Sequence, residues 1–306
     1  MKPKIFIIGA GNVGSHSAAA IARAQLGTIY LFDAIEDLPI GKALDINQAA
    51  LSFNTDSKVI GTNSIEDCID SNIIIFTAGA PRKTGMKRRD LLSENLETIK
   101  KLGDSIQTYA PNAQILIVSN PVDVLTWYLK NKFPELNIFG LGCSLDTIRF
   151  KYFLAEAFET SVDAANGIVI GAHNDTMMPL INHATVGGVL ATHLLPMEKI
   201  NGVINKTKSA GNVIVSKMKS GGSFFAAARS IAEITESIVR NKQKIFSLSV
   251  YCNGEYGYNS IALSLPVLLG ESGIMKIIDI DLNKEEQKLL AISAESMHEG
   301  IGSIDM

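Results

Sequence analysis

Residues 4–25, KIFIIGAGNVGSHSAAAIARAQ, decide the fold of the chain. The run KIFII is apolar on consecutive positions, which favours a strand buried on both faces. The segment after it, from residue 12 onward, has the length and pattern of a helix. Glycines 9, 11 and 14 lie between the two in a GxGxxG spacing. The stretch therefore predicts a strand, a tight turn and a helix, which is how a βαβ unit begins.

The first half of the chain repeats this alternation. Three more apolar runs have strand length: TIYLFD (28–33), NIIIFTAG (72–79) and QILIVSNP (114–121). Segments 93–110 and 122–133 have helical length and pattern. Strands that alternate with helices predict right-handed βαβ units in a doubly wound parallel sheet of the Rossmann type.

The pattern changes near residue 143. Residues 145–159 are predicted to form a helix, and residues 166–175 a strand that ends in polar residues. Residues 247–270 favour antiparallel strands, and residues 283–301 an amphipathic helix whose start Asn283 and Glu286 would cap. We therefore expect an α/β chain with a Rossmann domain at 1–142 and an α+β substrate-binding domain at 143–306.

The glycine turn and Asp33 predict a dinucleotide site. Gly9 permits the tight turn, Gly11 lets the backbone approach a pyrophosphate, and Gly14 lets the helix pack close to the strand. Ala10, Asn12 and Val13 complete the turn. Asp33 ends the second predicted strand 19 positions after Gly14, where an acid that binds ribose is expected. A carboxylate there repels a 2′-phosphate, so NAD is predicted over NADP.

Composition narrows the function. The 306 residues include 28 Lys plus Arg and 31 Asp plus Glu, a net charge of −3, which leaves no general basic surface for nucleic acid. One exception is APRKTGMKRRDLL (80–92), which contains five basic side chains. A nucleic-acid patch, a solvated loop and a clamp for a small anion all remain open, and confinement to one loop makes the first the weakest.

Three cysteines, Cys68, Cys143 and Cys252, are far apart and odd in number, which predicts free thiols in a reducing compartment. The apolar run near the N-terminus is too brief for a signal peptide. No apolar stretch approaches the roughly 20 residues of a membrane span. We expect a cytoplasmic protein without membrane contact, and no metal site is predicted.

One histidine stands apart from the other four. His173 follows a predicted strand end, whereas His16 and His298 lie on predicted helices. His183 and His193 lie in or beside helical stretches and have no obvious partner. Upstream, Asp146 and Arg149 are three apart on a predicted helix and therefore share a face. They form either a local ion pair or, together with His173, a site in which Asp146 orients the imidazole and Arg149 receives an anion.

These motifs together resemble the lactate/malate dehydrogenase family in their order and spacing. The resemblance covers nearly the whole chain, and within the family it is to the malate dehydrogenases of the lactate-dehydrogenase-like branch. The matching segments are GAGNVG (9–14), TAGAPRKTGMKRRDLL (77–92), VSNPVD (118–123), LDTIRF (145–150), GAHNDTMMP (171–179) and GEYGYNSIALSLPVLLG (254–270).

The resemblance implies NAD-dependent, reversible oxidation of (S)-malate to oxaloacetate, a step of the tricarboxylic acid cycle, by a homotetramer or homodimer. His173 would be the acid/base, with Asp146 as its partner, and Arg149 would bind the C1 carboxylate. Arg88 would polarise the reacting carbonyl from a mobile loop. Arg82 would bind the far carboxylate of a dicarboxylate substrate, at a position where lactate dehydrogenases typically carry glutamine.

The same resemblance places Asn120 on the substrate oxygen, and Asn95, Val118 and Asn120 along the cofactor. One departure lies next to the acid/base, since Asn174 replaces the usual glycine; asparagine tolerates a left-handed backbone better than most residues. The alternatives are a dehydrogenase for lactate or another 2-hydroxy acid, which Arg82 argues against, and a non-catalytic NAD-binding sensor. A sensor would be expected to lack at least one of the reactive residues, and all are present.

Overall fold

The structure, a computed structural model, describes residues 2–50, 52, 55–79, 88–219, 222–302 and 304, with the backbone alone for 88–94. The strands are β1 (Lys4–Ile8), β2 (Thr28–Phe32), β3 (Val59–Thr62), β4 (Ile73–Phe76), β5 (Gln114–Ile117), β6 (Asn137–Gly140), β7 (Ala165–Asn166), β8 (Val169–Ile170), β9 (Met178–Pro179), β10 (Thr185–Val186), β11 (Val189–Leu190), β12 (Lys244–Asn253), β13 (Asn259–Gly270) and β14 (Gly273–Ile277). The helices are α1 (Asn12–Arg23), α2 (Leu38–Ala50), α3 (Arg88–Tyr109), α4 (Val122–Lys132), α5 (Ser144–Phe158), α6 (Ala191–Leu194), α7 (Met197–Met218), α8 (Phe225–Val239) and α9 (Lys284–Gly302).

Six parallel strands form the first half of the sheet in the order β3-β2-β1-β4-β5-β6. This is the doubly wound order of a dinucleotide-binding fold, and the predicted fold class is confirmed. The four predicted strands are β1, β2, β4 and β5. Ile5, Phe6, Ile7 and Ile8 of β1 are all 0% exposed, because strands on both sides and helices on both faces cover them.

The second half adds strands to the same sheet. β12, β13 and β14 pair antiparallel, as predicted for residues 247–270, and β12 joins β6 through the single pair Ser249 and Gly140. A Cβ on Gly140 would lie 2.6 Å from Thr126 Oγ1 and 2.9 Å from Ser249 Cβ, so the junction requires glycine. One continuous sheet therefore runs through both halves of the chain.

The segment that carries His173 differs from its prediction. A strand was expected over 166–175, but β8 spans only Val169–Ile170, and beyond it Gly171 forms an isolated bridge to Ser264 of β13. Gly171 has a φ of +93°, which ends the strand and turns the chain toward α5. The histidine therefore lies on a short loop instead of a strand end.

The terminal helix α9 begins as predicted. The Asn283 side chain accepts the Glu286 N–H at 3.0 Å, and the Glu286 carboxylate accepts the Asn283 N–H at 3.0 Å. This reciprocal pair is a capping box. Leu290, Ala294 and Met297 then form a buried stripe, each 2% exposed, which places α9 against the sheet.

The three cysteines are buried and are not in disulfides. Burial raises the pKa of Cys68 to about 11 and that of Cys252 to about 12, so neither is a reactive thiolate at neutral pH. Among the helices that the structure describes, none is both long and apolar enough to cross a membrane.

Candidate active site

Two residues from separate elements form the centre of the site. Asp146 lies in the first turn of α5 and is 0% exposed, and His173 lies on the loop after β8. His173 Nδ1 is 2.6 Å from Asp146 Oδ2, and a fifth of the histidine side chain is exposed. With Nδ1 carrying the proton that this bond needs, Nε2 is the nitrogen free to exchange a proton. The predicted pair is therefore brought together.

Arg149 joins the pair from the next turn of α5. Its Nη1 donates to Asp146 Oδ1 at 2.9 Å, and its side chain is 12% exposed. Within the described part of the chain, Arg149 Nε is buried without a hydrogen-bond partner. A buried, unsatisfied guanidinium donor is costly unless a ligand accepts it. The local ion pair of Asp146 and Arg149 is therefore present, and the role of Arg149 as a receptor for an anion stays a prediction.

The neighbouring charges shift the pKa values of His173 and Asp146 in opposite directions. Burial alone would lower the pKa of His173, but the charge and hydrogen bond of Asp146 outweigh it, and the pKa is raised. Burial alone would raise the pKa of Asp146, yet His173 and Arg149 outweigh it, and the pKa is lowered. The histidine therefore takes up a proton more readily than a free imidazole, and Asp146 stays ionised beside it.

The loop that carries His173 is fixed from two sides. Gly171 and Ser264 exchange backbone hydrogen bonds of 2.9 Å, which attach the loop to β13. One residue on, the Ala172 N–H donates to Ser293 Oγ at 2.6 Å, which attaches it to α9. These contacts hold the histidine backbone before any ligand binds, as an acid/base requires.

Asn174 contributes through its side chain. Its φ is not positive, so the tolerance of asparagine for left-handed backbone is not used. Instead Oδ1 accepts the N–H of Thr176 at 2.8 Å, and Nδ2 donates to Ser296 Oγ of α9 at 3.1 Å. Where the family usually has glycine, this chain has an additional tie between the histidine loop and its last helix.

One of the other histidines has a partner that the sequence did not suggest. His183 Nε2 lies 3.5 Å from Glu286 Oε2, the carboxylate of the α9 capping box. The sequence offers no obvious partner for His183, because the two residues are far apart along the chain. This contact lies outside the His173–Asp146 pair.

The glycine turn has the geometry that its spacing predicted. Gly9 has a φ of +105°, and a Cβ on Gly14 would lie 1.8 Å from Gly9 O, so strand and helix touch at this point. A Cβ on Gly11 would meet nothing within 4 Å. Gly11 is also the N-cap of α1, with no side-chain cap and no acid in the first turn. The positive end of α1 is thus open to an anion beside residues 10–13.

Asp33 lies beside this turn at the end of β2. Its Oδ2 accepts the Ala10 N–H at 2.8 Å, and its Oδ1 accepts the Ile35 N–H at 3.0 Å. These bonds fix the carboxylate next to the turn, where the ribose of a dinucleotide would lie.

A cleft of about 710 Å³ opens beside Asp33 at the carboxyl end of the parallel strands. Gly9 and Asp33 were predicted to line a cofactor site, and both line the cleft. The side of the cleft that α3 forms was not predicted, because residues 97–102 carry no motif. The remaining lining residues are Ile8, Phe32, Ala34, Ala78, Glu97, Thr98, Lys101 and Leu102.

The other predicted cofactor residues lie at the same edge of the sheet. Val118 directly follows β5 and is half-buried, and Asn120 is exposed before a cis peptide bond to Pro121. Asn95 is 4% exposed, and its Nδ2 donates to the Asn120 carbonyl at 2.7 Å. Asn95 therefore ties α3 to the loop after β5, and a direct contact with the cofactor stays a prediction.

The basic stretch lies largely outside the described residues. Arg82 belongs to the undescribed range 80–87, and so does Thr84, at a position where the family frequently has proline. Arg88 is described only as the first backbone position of α3. Their predicted roles therefore stay predictions.

Comparisons with known proteins agree with this geometry. The family model for the lactate/malate dehydrogenase NAD-binding domain matches residues 3–140, and that for the α/β C-terminal domain of the same family matches residues 143–304. A malate dehydrogenase of Chlorobium chlorochromatii is 39% identical over 295 residues, 95% of each chain.

Solved structures give the same result. The malate dehydrogenase of Picrophilus torridus superposes with a TM-score of 0.95 at 35% identity, covering 99% of this chain and 97% of that one. The lactate dehydrogenase of Cryptosporidium parvum, complexed with lactic acid and nicotinamide adenine dinucleotide, gives 0.94 at 31% identity, covering 99% and 98%. Because both domains of the family are matched in order over most of the chain, the chain belongs to the lactate/malate dehydrogenase family.

Proposed function

We propose that the chain is an NAD-dependent malate dehydrogenase that interconverts (S)-malate and oxaloacetate. The observation that carries the proposal is the connected set His173, Asp146 and Arg149, in which a buried guanidinium donor lacks a partner in the described structure. An acid/base and an anion receptor side by side suit a 2-hydroxy acid. The malate dehydrogenase that is 39% identical over most of the chain supports the same substrate class.

The residues present fit NAD. The open, uncapped start of α1 suits the pyrophosphate, and the cleft beside Asp33 suits the adenosine half. Asp33 would accept hydrogen bonds from ribose hydroxyls. When bound, NAD supplies the nicotinamide that accepts hydride from the substrate carbon. The nicotinamide half would then lie toward Val118 and Asn120, on the side of the sheet edge nearest His173.

His173 performs the proton transfer in this proposal. In oxidation, Nε2 accepts the proton of the substrate hydroxyl, while the Nδ1 proton stays bonded to Asp146. The ionised Asp146 stabilises the imidazolium that forms, as a triad carboxylate does. In reduction the imidazolium returns the proton to the carbonyl oxygen. Arg149 binds the C1 carboxylate and fixes the reacting carbon between His173 and the cofactor.

The preference for a dicarboxylate depends on Arg82. We infer that it binds the far carboxylate, while Arg88 polarises the reacting carbonyl and Asn120 bonds the same oxygen. A charge-assisted hydrogen bond contributes about 1.5–3 kcal/mol. An arginine left buried without a partner costs about 3–5 kcal/mol, and partial exposure of the loop would shrink that figure. Selectivity for oxaloacetate over pyruvate of several hundred-fold is therefore expected.

The test is NADH oxidation measured with oxaloacetate and with pyruvate under the same conditions. We expect Arg82→Gln to lower kcat/KM for oxaloacetate and raise it for pyruvate. His173→Ala should abolish turnover while NADH binding survives. Because solved relatives include lactate dehydrogenases, a wild-type preference for pyruvate would replace malate by lactate as the substrate. An unchanged ratio in Arg82→Gln would remove Arg82 as the specificity residue.

We further propose a cytoplasmic homodimer or homotetramer in the tricarboxylic acid cycle. Buried, unpaired cysteines suit a reducing compartment. Large apolar side chains are exposed on three helices: Leu44 of α2 is 58% exposed, Val213 of α7 49%, and Phe225 of α8 69%. Such side chains suit contacts between subunits. Light scattering after size-exclusion chromatography would give the subunit number.

A further inference from the structure

A second carboxylate contacts the histidine loop and has no part in the function proposed above. Asp123 is the second residue of α4 and is 5% exposed. Its Oδ2 accepts the backbone N–H of His173 at 2.6 Å. This hydrogen bond is shorter than the about 2.7–2.9 Å that is typical of charge-assisted N–H···O bonds. Asp123 therefore holds the histidine by its main chain, whereas Asp146 holds it by its ring.

The charges around the pair show why a second carboxylate matters. His173 and Arg149 both bond to Asp146, one to each oxygen. When the imidazole is protonated, two positive groups face the single negative charge of Asp146. When it is ionised, Asp123 supplies a second negative charge next to the same histidine, so that two positive and two negative groups balance. Without it, the imidazolium would compete with Arg149 for one carboxylate.

The surroundings of Asp123 oppose its ionisation only in part. Burial raises the pKa of Asp123, and Ser249 of β12 and His173 offset this only in part, so the pKa stays above that of a free carboxyl group. In the described part of the chain, Asp123 Oδ1 and Ser249 Oγ both lack a partner at normal hydrogen-bond geometry. Among the side chains that the structure describes, the other titratable or charged groups near the two residues are Asp146 and Arg149 on α5, Cys143 just before α5, and Cys252 on β12.

We propose that Asp123 is a positioning residue for His173, fixing the histidine backbone and adding the second negative charge beside the imidazole. The proposal rests on the role of His173 as the acid/base. Ionised Asp123 favours the imidazolium, which is the form that donates a proton to oxaloacetate. A protonated Asp123 would keep the backbone contact and lose the charge effect, so the two contributions are separable by experiment.

The experiment uses the variant Asp123→Asn. The oxygen of the introduced amide can still accept the His173 N–H, and its nitrogen faces the Ser249 hydroxyl, so the shape is kept and only the charge is lost. The protein is titrated with ¹⁵N-labelled histidine and no substrate, and the His173 signal is assigned by its absence in His173→Gln. We expect Asp123→Asn to lower the titration midpoint of His173. Each pH unit of lowering would reduce the oxaloacetate reduction rate about tenfold above the midpoint.

Two further variants complete the test. Glu286→Gln removes another buried carboxylate, away from His173, and should leave the midpoint unchanged. If Asp123→Asn does not fold, Ser249→Ala replaces it, since loss of a hydroxyl that favours ionised Asp123 should lower the His173 midpoint in the same direction. An unchanged midpoint in the folded variant, or an equal change in Glu286→Gln, overturns the proposal. Because the titration needs no turnover, its result is independent of whether the wild type reduces oxaloacetate.

Discussion

Alanine at two positions of the glycine turn should separate binding from stability. In Gly14→Ala the new Cβ would lie 1.8 Å from Gly9 O, whereas real Cβ contacts are essentially never under 3.0 Å. Overpacking costs about 1–3 kcal/mol, and contact with backbone places this case at the upper end. Alanine regains about 1 kcal/mol of helix propensity. A net loss of about 2 kcal/mol follows, or a fall in Tm of about 4–8 °C.

Gly11→Ala is the matched variant. Its Cβ meets nothing within 4 Å, and its φ of −68° suits alanine. The stability should therefore change by less than about 1 kcal/mol, because the lower entropy of the unfolded chain offsets the poorer N-cap that alanine makes. The methyl group would, however, occupy the space through which a pyrophosphate approaches, and we expect NADH affinity to fall at least about tenfold, or 1.4 kcal/mol. Fluorescence titration with NADH and thermal unfolding measure the two effects. Wild-type NADH affinity in Gly11→Ala would refute the assignment of this turn to the cofactor.

Three other predictions concern the charged residues. Asp146→Asn should lower kcat by about 10⁴-fold, as loss of a triad carboxylate does, and should move the pH profile of malate oxidation to lower pH, because Asp146 raises the pKa of His173; an unmoved profile would contradict this. Because the pKa of His173 is raised in the native state, the protonated histidine stabilises the fold below about pH 6.5, and this stabilisation is lost as the pH rises through the native pKa. Because the pKa of Asp146 is lowered, its carboxylate stabilises the fold above about pH 4, and this stabilisation is lost on acidification. The Tm difference between the wild type and His173→Gln should therefore be largest between about pH 4 and 6.5, and a difference that grows above that range would be inconsistent with it. Finally, kcat/KM should be higher with NAD than with NADP, and Asp33→Ala should bring the two kcat/KM values closer together. Equal kcat/KM values for the two cofactors in the wild type would show that Asp33 does not discriminate between them.

The parallel strands were predictable to different degrees. Runs such as KIFII can only be buried on both faces, so sequence indicates the strand and the type of sheet together. β3 (VIGT) and β6 (NIFG) are four residues long and contain glycine, and nothing local marks them as strands. They are strands because they pair with the edges of β2 and β5, and this pairing depends on the tertiary fold and not on the local sequence.

The site shows the same division. Helical spacing placed Asp146 and Arg149 on one face, but the distance to His173, 27 residues away, depends on how α5 meets the loop after β8. Asn174 was expected to matter for its backbone and instead bonds through its side chain to α9. Glu97 and Lys101 line the cleft only because α3 brings them near the carboxyl ends of β1 and β2. Contacts between elements distant in sequence have no local pattern from which to predict them.

The junction of β6 with β12 limits how such a chain can be divided. A cut between residues 140 and 143 would leave each fragment with an unpaired strand, and exposed strand edges promote aggregation. Exchanging the second half for that of a relative would also require the new strand to accommodate Gly140 where Ser249 now packs. The folding of a chimera made at this position should thus depend more on a good fit between the residues at positions 140 and 249 than on the length of the connecting loop.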